Sequence, residues 1–144
     1  MKNIKTFLTL LILLAVFISC DDSSTITNPN LTASSKLLYG TWVYSSFDEY
    51  ITTLKRTTNL DSSNYGFIFY ENGSFLERKN SGWCGTPPIS YSNYDGKWET
   101  AGKNFINIEV NFWGGVTNYR IEVISVSNNE LKIKYTYPVD TNLE

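Results

Sequence analysis

Over the second half of the chain, apolar and polar residues exchange places at every step, and this pattern constrains the fold more than any other. Tyr94, Gly96 and Trp98 alternate with Asp95, Lys97 and Glu99. Ile106, Ile108 and Val110 alternate with Asn107 and Glu109. Tyr119, Ile121 and Val123 alternate with Arg120 and Glu122, and Leu131, Ile133 and Tyr135 with Lys132 and Lys134. Period two places successive side chains on opposite faces of a strand, so each run reads as a strand with one buried face. No stretch after Leu37 keeps the i, i+3, i+4 spacing of a helix for long.

Turn residues separate the runs. Asn72-Gly73 is a pair that favours a type I′ hairpin turn between Phe67–Tyr70 and Ser74–Lys79. Ala101-Gly102-Lys103, Gly114-Gly115 and Ser127-Asn128-Asn129 divide the later strands. Eight strands are expected, at about 40–47, 50–58, 65–71, 74–80, 93–100, 104–112, 117–126 and 130–137. The second is marked by Thr52, Thr53, Thr57 and Thr58 rather than by alternation. An all-β, eight-stranded antiparallel up-and-down barrel satisfies such a set best, because closure removes free edges and turns the apolar face inward. An open sandwich is the structural alternative.

Composition narrows the chemistry. The chain has no histidine, which removes Ser-His-Asp and Cys-His catalysis, His-ligated zinc and the usual proton shuttle near neutral pH. Its net charge of −2 comes without basic clusters, so nucleic acid is not an expected partner. The remaining carboxylates give no sign of converging as an acid/base pair. Asp48-Glu49 falls at a turn, Glu77 lies beside Arg78 and Lys79, and Glu109 and Glu122 fall on the polar face. All five are expected to be solvated surface charge. No cofactor or metal is expected, and the chain reads as non-catalytic.

The N-terminus reads as an address. Lys2 and Lys5 precede an apolar run from Thr6 to Ile18, interrupted only by threonines, and Ser19-Cys20 closes it. A charged start, an apolar stretch of about 7–15 residues and a small residue at the cut describe a secretory signal. The run falls short of the ~20 residues of a membrane span. Phe17-Ile18-Ser19-Cys20 resembles a bacterial lipobox, with Phe17 where leucine is usual. That resemblance implies cleavage after residue 19 and a diacylglyceryl thioether on Cys20. It also implies an amino group acylated by a palmitate-type chain, and multiple chains anchor a protein stably. Cleavage would remove Lys2 and Lys5, taking the net charge from −2 to −4. Cys84 would then be the one free thiol, with no partner for an intramolecular disulfide. Residues 20–36 are Ser/Thr/Asn-rich and read as the lipidated cysteine and a flexible tether, with the domain at 37–144.

Four motifs recur in order along that domain. Gly40-Thr41-Trp42 opens the first strand, and Phe69 through Gly73 to Phe75 forms an aromatic hairpin. Tyr94-Gly96-Trp98 and Asn129-Glu130-Leu131-Lys132-Ile133 follow. Together they resemble small lipocalin-like (calycin-type) lipoproteins of Bacteroidetes-like bacteria, over about residues 37–137. In such bacteria, acidic residues after the cysteine, here Asp21-Asp22, look like an outward export signal. In enterobacteria an Asp there points instead to inner-membrane retention. The implied location is the outer membrane or cell surface, with the leaflet open.

The resemblance implies a barrel that holds a small apolar or aromatic molecule. The candidate ligand residues are Trp42, Tyr44, Phe67, Phe69, Trp98, Ile108, Tyr119 and Ile121; Phe75, Ile106 and Ile133 complete the inward set. The competing expectation is that these side chains fill the interior, as in other small barrels. In that case the barrel would be an accessory or inhibitor module. It would bind an envelope protein or a glycan through a loop patch at Trp83 and Trp113. Up-and-down connectivity places the connections near 48, 72, 102 and 128 at one end. It places those near 61, 83–92 and 113–115 at the other, beside the start of the first strand. Trp83-Cys84-Gly85-Thr86-Pro87 lacks the second cysteine of a thioredoxin site, and Cys84 reads as an inert thiol.

Overall fold

Each alternating run becomes a strand with its apolar set turned to one side. The computed structural model describes residues 25–27, 29–82 and 89–136. The segment expected to be a secretory signal, Cys20, Trp83 and Cys84 lie outside the described residues. The elements are β1 (Ile26–Thr27), a helical turn α1 (Leu31–Ser34), a 3-10 turn (Ser35–Leu37), β2 (Gly40–Asp48) and β3 (Ile51–Thr57). They continue with β4 (Gly66–Phe69), β5 (Ser74–Asn80), β6 (Tyr91–Thr100), β7 (Phe105–Phe112), β8 (Gly115–Val126) and β9 (Glu130–Thr136).

Strands β2 to β9 close into an eight-stranded antiparallel barrel, in the order β8-β7-β6-β5-β4-β2-β3-β9 with β9 back on β8. The expected strands are all present. The connectivity differs at one point from a continuous up-and-down meander. β2 pairs with β3 on one side and with β4 on the other, and β3 pairs with β9. Residues 58–65 therefore cross β2. An Asp61 turn assists, its carboxylate accepting from Ser63 N at 3.0 Å and from Asn64 Nδ2 at 2.9 Å. Gly66 lies at the crossing, where a Cβ would stand 2.5 Å from the Trp42 carbonyl oxygen and 2.9 Å from Leu60 Cδ2. Period two reports which face a residue occupies but not which strand lies beside it, so this exchange leaves no trace in the pattern.

The crossing re-sorts the barrel ends. The turns at 70–73, 101–104 and 127–129 share an end with the start of β2. The turn at Glu49-Tyr50 joins the end of β5, the start of β6 and the 113–114 tip at the other end, correcting the expectation that it would accompany the short turns. The turn chemistry is exchanged as well. Asn72-Gly73 belongs to a three-residue loop in which Gly73 has φ +82°, with Gly73 N–H donating to the Tyr70 carbonyl at 3.1 Å. The two-residue turn with positive φ at both positions is Glu49-Tyr50, at 44° and 72°.

The first end is closed. Residues expected in the tether pack on it: Ile26 and Thr27 pair with Val126 and Ser125 along the part of β8 that outruns β7. Pro29 is buried, and Leu31 and Leu38 are fully buried in the core. This corrects the tether boundary at 36. Leu31 N–H donates to the Lys103 carbonyl at 2.6 Å, tying the plug to the β6–β7 turn. Burying two leucines stabilises by roughly 1.5–3 kcal/mol each, enough to hold a short segment that is otherwise polar.

Above the plug the interior is packed. Trp42 donates its indole N–H to the Leu38 carbonyl at 2.7 Å and carries the Arg56 guanidinium 4.1 Å over its ring. Arg56 also donates to the carbonyls of Leu37, Tyr39 and Asn128. Trp98, Phe69, Phe67 and Tyr65 form a continuous edge-on column, with centroids 5.1, 5.2 and 6.0 Å apart. The outer face carries Asp95, Lys97, Glu99, Glu109, Arg120 and Lys134, all exposed. A wall so charged faces water, since charge against lipid is destabilising.

Candidate functional site

The inner face changes character along the barrel axis. Near the plug it is Trp, Phe, Leu and Ile. Toward the open end it becomes a belt of tyrosines around one acid, enclosing a cavity of about 440 Å³ lined by Tyr44, Thr52, Tyr65, Glu77, Lys79, Thr117, Tyr119 and Tyr135. Its size lies within the usual range for small-molecule pockets, roughly 300–1,000 Å³.

Glu77 is the centre of this belt. On β5, Phe75, Glu77 and Lys79 share the inner face by simple alternation, and Glu77 is only 4% exposed. Its Oε1 accepts from Tyr65 Oη at 2.8 Å and Tyr119 Oη at 3.1 Å, and its Oε2 from Lys79 Nζ at 2.6 Å. Tyr65 commits its proton to Glu77, so Tyr135 donates to Tyr65 across 2.6 Å. A buried carboxylate without such partners would be costly, and here three donors serve it. Burial first, and then the charges of Tyr135, Tyr119 and Glu77, hold the Tyr65 hydroxyl well above the usual tyrosine range. Tyr119 is raised likewise, by burial and then by Glu77 and Tyr135. Both stay protonated donors at neutral pH.

Lys79 bridges two spaces. Its ammonium lies on Glu77 and 5.4 Å from the centroid of the Tyr94 ring. The residue also borders a smaller hollow of about 290 Å³, shared with Asn80, Phe112, Trp113 and Thr117. Apolar side chains surround this end. Of the seven large hydrophobic residues exposed among the described residues, six stand here: Tyr44, Phe47, Tyr50, Ile89, Trp113 and Val116. A β-bulge contributes to the rim. The β2–β3 register shifts between Tyr44 and Ser46, so Tyr44 pairs with Leu54 and Phe47 with Thr52. Leu54 and Thr52 are buried, and cross-strand partners share a face, so the bulge brings both Tyr44 and Phe47 to the inner side. Unbroken alternation would have turned Phe47 outward.

The residues expected to bind a ligand divide sharply. Trp42, Phe67, Phe69, Ile108, Ile121 and Trp98 are buried in the packed part of the barrel, at 0–9% exposure. Tyr119 lines the cavity, and Tyr44 lines it from the rim at 42% exposure. Trp113 is 54% exposed beside the smaller hollow. The sequence reading missed Glu77, Lys79, Tyr65, Thr52, Thr117 and Tyr135 as lining residues. For Glu77 the available signal was its place two residues after Phe75. The expectation that it is solvated surface charge is corrected, because alternation outweighs the usual exposure of a carboxylate once the neighbouring strands supply hydroxyls.

A larger hollow of about 830 Å³ lies over the outer faces of β6, β7 and β8. Its polar side chains serve one another, Arg120 Nε donating to Asn107 Oδ1 at 2.9 Å and Asn107 Nδ2 to Glu99 Oε1 at 3.2 Å. Its charged side chains, Lys97, Glu99, Glu109 and Arg120, are all exposed, so the mouth with its buried Glu77 is the stronger candidate despite its smaller volume. Among the described residues no three acidic or cysteine side chains group to hold a metal. Comparison of the chain with protein families, with curated proteins and with solved structures returns no match. A closed β-barrel with such a mouth is compatible with a binding module.

Proposed function

We propose that this protein is a lipid-anchored envelope receptor that holds a small amphipathic molecule, without chemical change, in the mouth of its barrel. The observation that carries this reading is the asymmetry of the interior. One end is plugged and packed, while the other opens on a tyrosine-lined cavity with a buried Glu77–Lys79 pair and an apolar rim. Polar groups at the base of an apolar entrance fix the orientation of a ligand whose body stays against the rim. The anchor rests on the lipobox-like Phe17-Ile18-Ser19-Cys20 and the apolar run before it.

Native mass spectrometry of the chain purified from its own host tests the pocket. Thr117 borders both hollows and is half-buried, so Thr117→Trp should fill the mouth and abolish a specific adduct seen with the wild type. An adduct of equal intensity in the folded variant would place binding elsewhere. Metabolic fatty-acid labelling tests the anchor: Cys20→Ser should remove the label, and a variant that still carries it refutes lipidation at Cys20. A second reading, docking of an envelope protein or glycan, is favoured by the exposure of Phe47 at 60%, Tyr50 at 76% and Trp113 at 54% around that end. Tyr50→Ser with Trp113→Ser separates the two: loss of a co-purifying macromolecule with the small adduct retained supports docking.

A further inference from the structure

We infer that the mouth selects an organic ammonium on an aromatic or apolar body, with Glu77 as counter-ion, the tyrosine belt as its cage and Lys79 as a tethered stand-in. The inference rests on the reading of the mouth as a small-molecule site, and it names the ligand's charge.

The cavity already holds an ammonium. Lys79 Nζ lies 2.6 Å from Glu77 Oε2 and 5.4 Å from the Tyr94 ring centroid. This is the environment that favours a cation: one carboxylate for charge and an aromatic face for its quadrupole. The two hydroxyl donors on Oε1 fix the carboxylate from the other side, so Oε2 stays aimed at the Lys79 position. An anionic head fits poorly there. It would place its charge against a carboxylate 4% exposed, and Lys79, the cation that lines the cavity among the described residues, is already paired with that carboxylate. Asp48 and Glu49, exposed on the β2–β3 turn at the same end, add negative charge to the entrance.

Lys79 can leave. It is the penultimate residue of β5 at the open end, its side chain is 21% exposed, and its flexible four-carbon stem can carry the ammonium back to water. A ligand amine would exchange with it on Glu77, one ammonium for another. The buried carboxylate then keeps its charge partner at every stage, which avoids the desolvation cost of an unpaired charge. The ring or chain of the ligand would lie where Tyr44 and Tyr135 border the cavity.

The test titrates the purified full chain by calorimetry with three probes of one shape: phenethylamine, 2-phenylethanol and phenylacetate. The amine should bind one to one, at least about tenfold tighter than the alcohol, with phenylacetate silent. Lys79→Met keeps the stem and removes the competing ammonium, so it should tighten phenethylamine about tenfold or more. Glu77→Gln should abolish the preference for the amine over the alcohol. Lys79→Gln serves if the Met variant does not fold, with the same direction expected. Weaker amine binding in a folded Lys79 variant overturns the tethered stand-in. Tighter binding of phenylacetate or phenylethanol than of phenethylamine, lost in Thr117→Trp, overturns the ammonium and preserves the pocket. No binding of any probe by the wild type or by folded Lys79 variants overturns both.

Discussion

Glu77 and the hydroxyls of Tyr65 and Tyr119 are interdependent, and the dependence has a sign that pH can reveal. In the unfolded chain these hydroxyls ionise near the ordinary tyrosine value of 10; in the barrel both are held well above it, chiefly by burial and then by neighbouring charge. The folded state therefore keeps protons that the unfolded state has lost. The stability they contribute is fully present below pH ~10 and is lost as pH rises toward their folded values. The loss should reach about 1.4 kcal/mol per pH unit for each tyrosine. Denaturant midpoints measured from about pH 8 to 11 should owe no loss to these hydroxyls up to about pH 10 and then fall steeply in the wild type, and less so in Tyr65→Phe/Tyr119→Phe. The double variant will start lower, because Glu77 loses two donors at about 1–3 kcal/mol for an unserved buried group. Equal slopes in the two proteins would place these hydroxyls outside the titrating set. The same residues mark the limit of reading a site from sequence. Tyr119, Tyr135 and Tyr65 all fell on the inner face by alternation, Tyr65 two places before Phe67, but alternation gives a face and not the height along the barrel at which three strands bring their hydroxyls to one carboxylate.

At the scale of elements, the strands were legible and their company was not. Alternation located β6 to β9 to within two residues, since a half-buried strand must repeat every second position. The crossing of 58–65 over β2, the bulge at Ser45 and the plug were not legible, for three different reasons. Strand adjacency has no period. One extra residue reverses every face beyond it, as Phe47 shows. The plug is anchored by a few apolar residues in a run that by composition reads as solvated. Its importance can be measured. Leu31 is fully exposed to the core and not to water, at 0% relative exposure, and Leu31→Ala should cost about 2–5 kcal/mol, the usual range for a buried leucine. A change below about 0.5 kcal/mol in urea unfolding would mean that this segment detaches without consequence and that the barrel closes some other way. The Glu49-Tyr50 turn makes the opposite point. Two non-glycine residues at positive φ are strained by about 1–3 kcal/mol each, and here they present an aromatic ring to solvent at the open end, 76% exposed.

The whole molecule has a polarity that connects the plug to the mouth. β1 pairs with Val126 and Ser125 at the closed end, which fixes the place from which any lipid at Cys20 must reach. Five residues separate Cys20 from Ile26, and at ~3.5 Å per residue they span no more than about 20 Å. A nine-residue strand such as β2, tilted as barrel strands are, raises the opposite rim by roughly a further 20–25 Å. A barrel tethered this way holds its plug toward the bilayer and turns its mouth to the aqueous side, where a ligand arrives from solution. Against this works the rim itself: Tyr50, Phe47 and Trp113 are the kinds of side chain that settle at a membrane interface. With the proposed lipid on Cys20 the covalent constraint should prevail, because a chain of that length cannot reach around the barrel to let the rim touch the same leaflet. A fluorophore placed by Asn72→Cys at the closed end, in a Cys84→Ser background, should be quenched by lipids labelled near the headgroup. The same fluorophore at Tyr50→Cys should not be. Stronger quenching at residue 50 than at residue 72 would mean that the rim inserts, and the mouth would then draw its ligand from the lipid phase.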